Sequence, residues 1–263
     1  MFVAIRNMGA DVLFLAWDES PELIRVSCKV GCSGRLALMR TIFISPIVGA
    51  VLGVAACVRF GDTYQKAPEV RQAGAVTTAD WRPYNRGVTF LREEGRQIVR
   101  VDARPDDGVV WLAGAQIKEG TIEADLRGKD VQGQSFIGIA FRGVDNTHYD
   151  AIYFRPFNFR TPDKERVLRA IQYISVPTFT WSKLRSDSPG KYEKPISPIP
   201  EPNEWFRVRI TLEGKVIKAY VNDSAIPTLT VTALSEPRDG MVGLYVGNES
   251  DGDFANLRVV RTR

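Results

Sequence analysis

The chain of 263 residues carries one histidine, His148, and three cysteines, Cys28, Cys32 and Cys57. Beyond residue 57 there is no thiol, so residues 58–263 fold without a disulfide. Cys28-Lys-Val-Gly-Cys32 has no second Cys or His pair near it, which argues against a structural zinc site. Blocks of like charge are missing: 35 Lys and Arg against 31 Asp and Glu leave a formal charge of +4, and the basic residues are scattered. Nucleic acid is therefore not an expected partner, since its recognition needs a basic stripe. The chain also lacks a phosphate loop, Gly-x-Ser-x-Gly and His-Glu-x-x-His, which excludes P-loop NTPases, α/β-hydrolases and zincins. Helical periodicity is nearly absent.

One long apolar run is present. Residues 41–56, TIFISPIVGAVLGVAA, follow Met39-Arg40 and end at Cys57. The run is shorter than the roughly 20 residues of a spanning helix and ends in small residues, as a signal peptide does. Val54-Ala55-Ala56-Cys57 resembles a bacterial lipobox, which implies lipidation of Cys57 and a protein exported to the periplasm or cell envelope; the alternatives are an ordinary signal-peptidase cut between Ala56 and Cys57 or an uncleaved anchor of marginal length. Membrane contact is then expected only through this N-terminal lipid anchor. Residues 1–38 are too long and too mixed in charge for an n-region, so they are expected to be an upstream extension, with translation starting at Met39 and residues 39–57 forming the signal peptide. Residues 58–75 are polar and aperiodic, as a tether is, and residues 76–263 form the domain.

Within that domain the period-2 signal dominates. Twelve alternating runs are separated by Gly, Asp, Asn and Pro, among them GTIEADLRG (120–128), HYDAIYFR (148–155), EWFRVRITLEG (204–214) and GMVGLYVGN (240–248). So many strands in about 180 residues exceed one open sheet, and two packed antiparallel sheets are expected. Glu213-Gly214 predicts a tight hairpin turn. The longest break, residues 176–203, is rich in proline; with Trp181, Leu184 and Tyr192 as apolar anchors it reads as an ordered flap.

Tyr153-Phe154-Arg155-Pro156-Phe157-Asn158-Phe159, together with Val246-Gly247-Asn248 and Asp251-Gly252-Asp253-Phe254-Ala255-Asn256, resembles the bacterial 3-keto-disaccharide hydrolase domains, a concanavalin A-like group also described as glycoside-hydrolase-family-16-like or laminin-G-like. The resemblance covers about residues 81–263. It implies a concanavalin A-like jelly-roll sandwich with a saccharide in a concave groove. Two functional classes follow: an exported hydrolase of 3-keto glycosides, or a lectin-like module that binds glycans without chemistry.

The residues supply candidates for both. On the strand GTIEADLRG, Glu123 and Asp125 share one face, but the third acidic position of a retaining glucanase is Arg127 or Gly128 here. The second carboxyl at about 5 Å is thus missing from this strand, which disfavours ordinary retaining hydrolysis. A 3-keto glycoside asks for less: the ketone acidifies the C2 proton, so one base and one oxyanion stabiliser suffice. His148, Asp150 and Glu123 are the candidate bases, against plainer readings of His148 as a turn residue and Glu123 as part of a solvated face. Tyr153 and Arg155 on the strand, and Trp181 and Arg185 in the flap with Tyr173 beneath, are the candidate sugar contacts, because aromatic faces stack on pyranose rings while charged forks take hydroxyls. Trp111 and Trp205 read as core. Asn248, Asp251 and Asp253 form an oxygen-rich turn, either an Asx-rich turn or a site for a divalent cation such as Ca²⁺.

Overall fold

A computed structural model describes residues 80–262 in full, and outside them the strands β1 (Phe2–Met8), β2 (Asp11–Trp17) and β3 (Glu69–Gln72). The segment expected to be a signal peptide with a lipobox-like end, Cys57 included, lies outside the described residues. The chain divides into two units, Met1–Tyr64 and Gln65–Arg263. In the first, β1 and β2 pair antiparallel, with Phe2 opposite Trp17.

The second unit is all-β. Its strands are β4 (Trp81–Tyr84), β5 (Val88–Glu93), β6 (Arg96–Val101), β7 (Gly108–Ile117), β8 (Gly120–Arg127), β9 (Ile137–Gly143), β10 (Tyr149–Phe154), β11 (Ile171–Val176), β12 (Glu193–Lys194), β13 (Phe206–Glu213), β14 (Val216–Val221), β15 (Leu229–Thr232), β16 (Gly240–Val246) and β17 (Gly252–Arg261). Two short helices, α1 (Lys164–Val167) and α2 (Trp181–Asp187), interrupt them. All twelve alternating runs of the sequence are strands. The strands form two antiparallel sheets, one in the order β12-β11-β10-β9-β16-β7-β4, the other in the order β15-β14-β13-β8-β17-β6-β5. This is the expected sandwich of two antiparallel sheets.

Alternation decides which side chains lie between the sheets. On β13, Phe206, Val208, Ile210 and Leu212 are buried while Arg207 and Glu213 are exposed, as a strand with one wet face requires. Phe206 meets Phe154 of the opposite sheet edge-on at 5.2 Å between ring centroids, which fixes Phe154 and its neighbours Asp150 and Ile152 on the inner face of β10. Strands β9 and β10 are buried on both faces, so a second layer covers the outer side of the seven-stranded sheet. Gly214, at φ +56°, closes the expected β13–β14 hairpin, with Glu213 opposite Val216.

In the second unit the sequence reading misses β3, placed in the expected tether, β4, at the start of the expected domain, and β12, placed in the flap. All three are held by sheet edges rather than by their own periodicity. Strand β6 pairs β17 only at Gly252 to Phe254, and β3 takes the edge that remains at Arg258 to Arg261.

Candidate functional site

The outer face of the seven-stranded sheet carries one row of residues in register across five strands. Gln172 of β11 lies opposite Tyr153 of β10, Tyr153 opposite Gly138 of β9, Gly138 opposite Tyr245 of β16, and Tyr245 opposite Val109 of β7. Glu193 of β12 extends the row beyond Gln172. Because Gly138 has no side chain, the rings of Tyr153 and Tyr245 approach across it to 5.3 Å. Phe136 stands over Tyr153 at 6.2 Å and meets Phe157 at 5.3 Å. These rings floor a cavity of about 470 Å³, within the roughly 300–1,000 Å³ of small-molecule pockets.

Arg155, two residues beyond Tyr153 and on the same face, is only 4% exposed. Its Nη2 donates to the Tyr153 hydroxyl at 2.7 Å and to Gln172 Oε1, and its Nη1 donates to the Arg169 carbonyl at 2.8 Å. Burial pushes the Tyr153 hydroxyl up to about 12, so it stays a neutral phenol. The buried carboxylate of Glu193 receives the Arg185 guanidinium at 2.7 Å, with Arg169 at 3.8 Å and Arg155 at 3.9 Å. That pairing also holds the Arg185 guanidinium more firmly protonated than usual.

The flap is ordered, as expected, and supplies the cavity's far wall. Thr180 caps α2 by accepting from the Lys183 amide, and Leu184 pins the helix to the core. Trp181 at its start is 49% exposed, with Arg185 over its ring at 5.0 Å. Asp163 caps α1 through the Glu165 and Arg166 amides. Arg166 then reaches Asn158 Oδ1 and the Phe157 carbonyl, both at 3.1 Å.

The opposite wall is the loop before β7. Buried Arg86 donates to the carbonyls of Asp106 at 2.6 Å and Gly247 at 2.9 Å, tying that loop to the end of β16. Asp107 is exposed as a whole residue, yet its carboxyl group accepts from the Asn248 amide at 3.1 Å and from the Tyr245 hydroxyl. Desolvation there holds its pKa above the ordinary carboxyl range, and the same pairing and burial push the Tyr245 hydroxyl well up.

Of the candidate residues, Tyr153, Arg155, Trp181 and Arg185 line this cavity together. Tyr173 does not: it shares the inner face with Ile152, and its hydroxyl accepts from the Leu234 amide at 3.1 Å. The three candidate bases are not brought together. Asp150 is 0% exposed on the inner face and accepts from Ser235 at 2.5 Å; burial raises its pKa. Glu123 is on β8, in the other sheet, paired with Arg258 at 3.4 Å. His148 sits before the opposite end of β10 from Arg155, bound to Asp145 at 2.9 Å, and lines a separate cavity of about 430 Å³. The three lie on the inner face of one sheet, on the other sheet and in a turn, all away from the cavity. Trp111 is buried, although on the outer face, with its indole N–H donating to Asn146 at 2.9 Å. Trp205, expected in the core, is half-buried between the guanidinium groups of Arg96 and Arg127, because inward-facing Phe206 follows it. Asn248, Asp251 and Asp253 turn to separate partners: the Asp106 amide, Lys129, and the pair Arg100 and Arg127.

Sequence reasoning did not single out Asp107, Phe136, Arg166, Arg169, Gln172, Glu193 or Tyr245. The one available signal was the common parity of Tyr245 in GLYV and Tyr153 in AIYF, which points both rings to one face once the strands are known to be near neighbours.

No family model matches the chain, and no curated protein matches it. Among solved structures it is similar to the carbohydrate binding module CBM66 from Bacillus subtilis, at 16% identity and a TM-score of 0.47, over 68% of this chain and 95% of that one. A second similar structure is the Bacillus licheniformis β-glucanase, at 14% identity and a TM-score of 0.47, over 76% of this chain and 100% of that one. A third is a Bacillus subtilis protein of unknown function with a galectin-like fold, at 13% identity and a TM-score of 0.48, over 75% and 98% of the two chains.

Proposed function

We propose that the cavity on the outer face of the seven-stranded sheet is a saccharide-binding site. The observation that carries this reading is Trp181: a half-exposed indole at the wall of a cavity whose floor is aromatic and whose sides carry guanidinium forks. Sugars need that combination, apolar ring faces for stacking and fixed donors for hydroxyl groups. The donors are pre-set, since Arg155 and Arg185 are locked by Tyr153, Gln172 and Glu193 before any ligand arrives. Titration of the full chain with a panel of mono- and disaccharides, read by calorimetry and tryptophan fluorescence, tests the proposal. Saturable binding that Trp181→Ala weakens about tenfold, the worth of roughly 1.4 kcal/mol of stacking, is the expected result. Failure of every sugar to bind, or binding indifferent to Trp181, sinks it.

Asp107 favours a second reading, hydrolysis of 3-keto glycosides. Desolvation holds its carboxyl pKa above the ordinary value, the direction that suits a general base, and it lies in the cavity with the sugar contacts. In this reading the Asp107 carboxylate takes the C2 proton and the resulting enolate is steadied by a guanidinium. The C1–O bond then breaks as the leaving alkoxide takes up a proton, and water adds across C1 and C2. Turnover of 3-keto glucosides, abolished in Asp107→Asn, supports it; binding of these sugars without turnover leaves the site a lectin-like one. An EDTA arm of the same assay reports whether a divalent cation takes part. The proposal extends to location: lipidation at Cys57 puts the sandwich in the cell envelope, and a Cys57→Ser chain is then expected to lose incorporation of a fatty-acid label.

A further inference from the structure

The charges around the cavity are unequal. Four arginines line it, Arg155, Arg166, Arg169 and Arg185, whereas Asp107 is the one carboxyl group among the described lining residues. Behind the wall, Glu193 serves three of these arginines at once, and Arg169 has a further partner in exposed Glu165 at 3.1 Å. The Arg166 guanidinium donates to neutral acceptors, the Asn158 side chain and the Phe157 carbonyl, and its nearest carboxylate, Asp163, is taken up by capping α1. Guanidinium groups crowded at the edge of a low-dielectric cavity repel one another more than they would in water, and an anion seated among them removes that cost. Neutral hydroxyl groups do not need four such forks, while a planar or tetrahedral oxyanion matches them two hydrogen bonds at a time.

We propose that the saccharide taken by this cavity carries an oxyanion, as a uronic acid carboxylate or a sulfate or phosphate ester does, and that Arg166 is its first partner. This inference rests on the saccharide reading of the cavity. Arg185 and Arg155 hold the wall in place, Trp181 covers the ring, and the anionic substituent lies toward α1.

The test compares matched sugars on the full chain: methyl β-glucoside, methyl β-glucuronide, glucose 6-sulfate and glucose 6-phosphate, with inorganic phosphate as the sugar-free control. At least one acidic sugar is expected to bind about tenfold or more tightly than the neutral glucoside, the scale of one charge-assisted hydrogen bond. Its advantage should shrink as salt is raised, and Arg166→Gln should remove most of that advantage over the neutral glucoside. The three acidic sugars distinguish carboxylate, sulfate and phosphate. Equal or better binding of the neutral glucoside overturns the inference while leaving the saccharide site intact. No binding by any sugar overturns both, and binding of inorganic phosphate without any sugar shows an anion site and overturns both as well. The affinity ratio of the unaltered chain decides the matter even if Arg166→Gln fails to fold.

Discussion

Asp107 and Glu123 are both carboxylates near arginines, but one lies in the cavity and the other in a surface ion pair on the opposite sheet. Desolvation beside Tyr245 raises the Asp107 pKa above its ordinary value of 3.8. Its folded form therefore binds more protons than its unfolded form between 3.8 and the raised value, so stability is full below that window and falls as pH rises through it. Asp107→Asn removes this fall. Thermal melts of parent and variant at about pH 3 and about pH 7 should show the variant gaining on the parent at the higher pH; an equal difference at both refutes the assignment. Glu123 lies in a half-exposed surface pair with Arg258, worth about 0–1 kcal/mol. Glu123→Ala and His148→Ala are each expected to leave sugar affinity within about twofold, because neither side chain lines the cavity and a lost contact elsewhere changes affinity little. A tenfold loss in either, measured by calorimetry, would relocate the site.

At the scale of the strand, the cavity floor depends on Gly138. A methyl group there would sit 2.5 Å from Tyr153 Cα and closer still to the Ile152 carbonyl, both on the neighbouring strand. Gly138→Ala must push β10 away from β9. It should cost about 1–3 kcal/mol of stability, the usual range for overpacking, and should weaken sugar binding because Tyr153 and Tyr245 lose their registration. Urea unfolding and calorimetry on the same sample check both effects, and retention of both parental values would show that the row is not the floor. Strands such as GTIEADLR and FRVRITLE were legible because one face is wet and the other dry, which writes a period of two into the sequence. The floor was less legible, since β9 and β10 are buried on both faces and their alternation fades. The row itself is a matter of register between strands distant in sequence, Tyr153 against Tyr245 across Gly138, and nothing local encodes it. Arg166 and Glu193 come from segments of four and two residues whose form is set by the cap at Asp163 and by a free sheet edge, and Arg169 comes from the turn after α1.

The sandwich has no cysteine after residue 57, so its two sheets are joined by packing and by buried polar clamps alone. The largest clamp is Arg142, 0% exposed at the end of β9. Its guanidinium donates to the Lys118 carbonyl at 3.0 Å, in the turn from β7 to β8, and to the Gly214 carbonyl at 2.7 Å, in the β13–β14 hairpin of the other sheet. Burial lowers its pKa, although not enough to matter for a guanidinium. Arg142→Ala leaves two carbonyls without their donor, at about 1–3 kcal/mol each, and opens a cavity as well; a loss of about 3 kcal/mol or more is expected in the unfolding free energy from urea titration. The sugar site stands at the other end of the same strands: Gly138 and Arg142 are four residues apart on β9, about 13 Å at the rise of an extended chain. Separation along the strand makes stability and binding independent to first order, so the folded fraction of Arg142→Ala should bind sugar with an affinity within about threefold of the parent. Calorimetry in low urea, where the variant is fully folded, decides this. A parallel collapse of affinity would mean that the two ends of the sandwich are coupled through β9 and β10, and that the cavity is shaped by the clamp rather than by the register of its own floor.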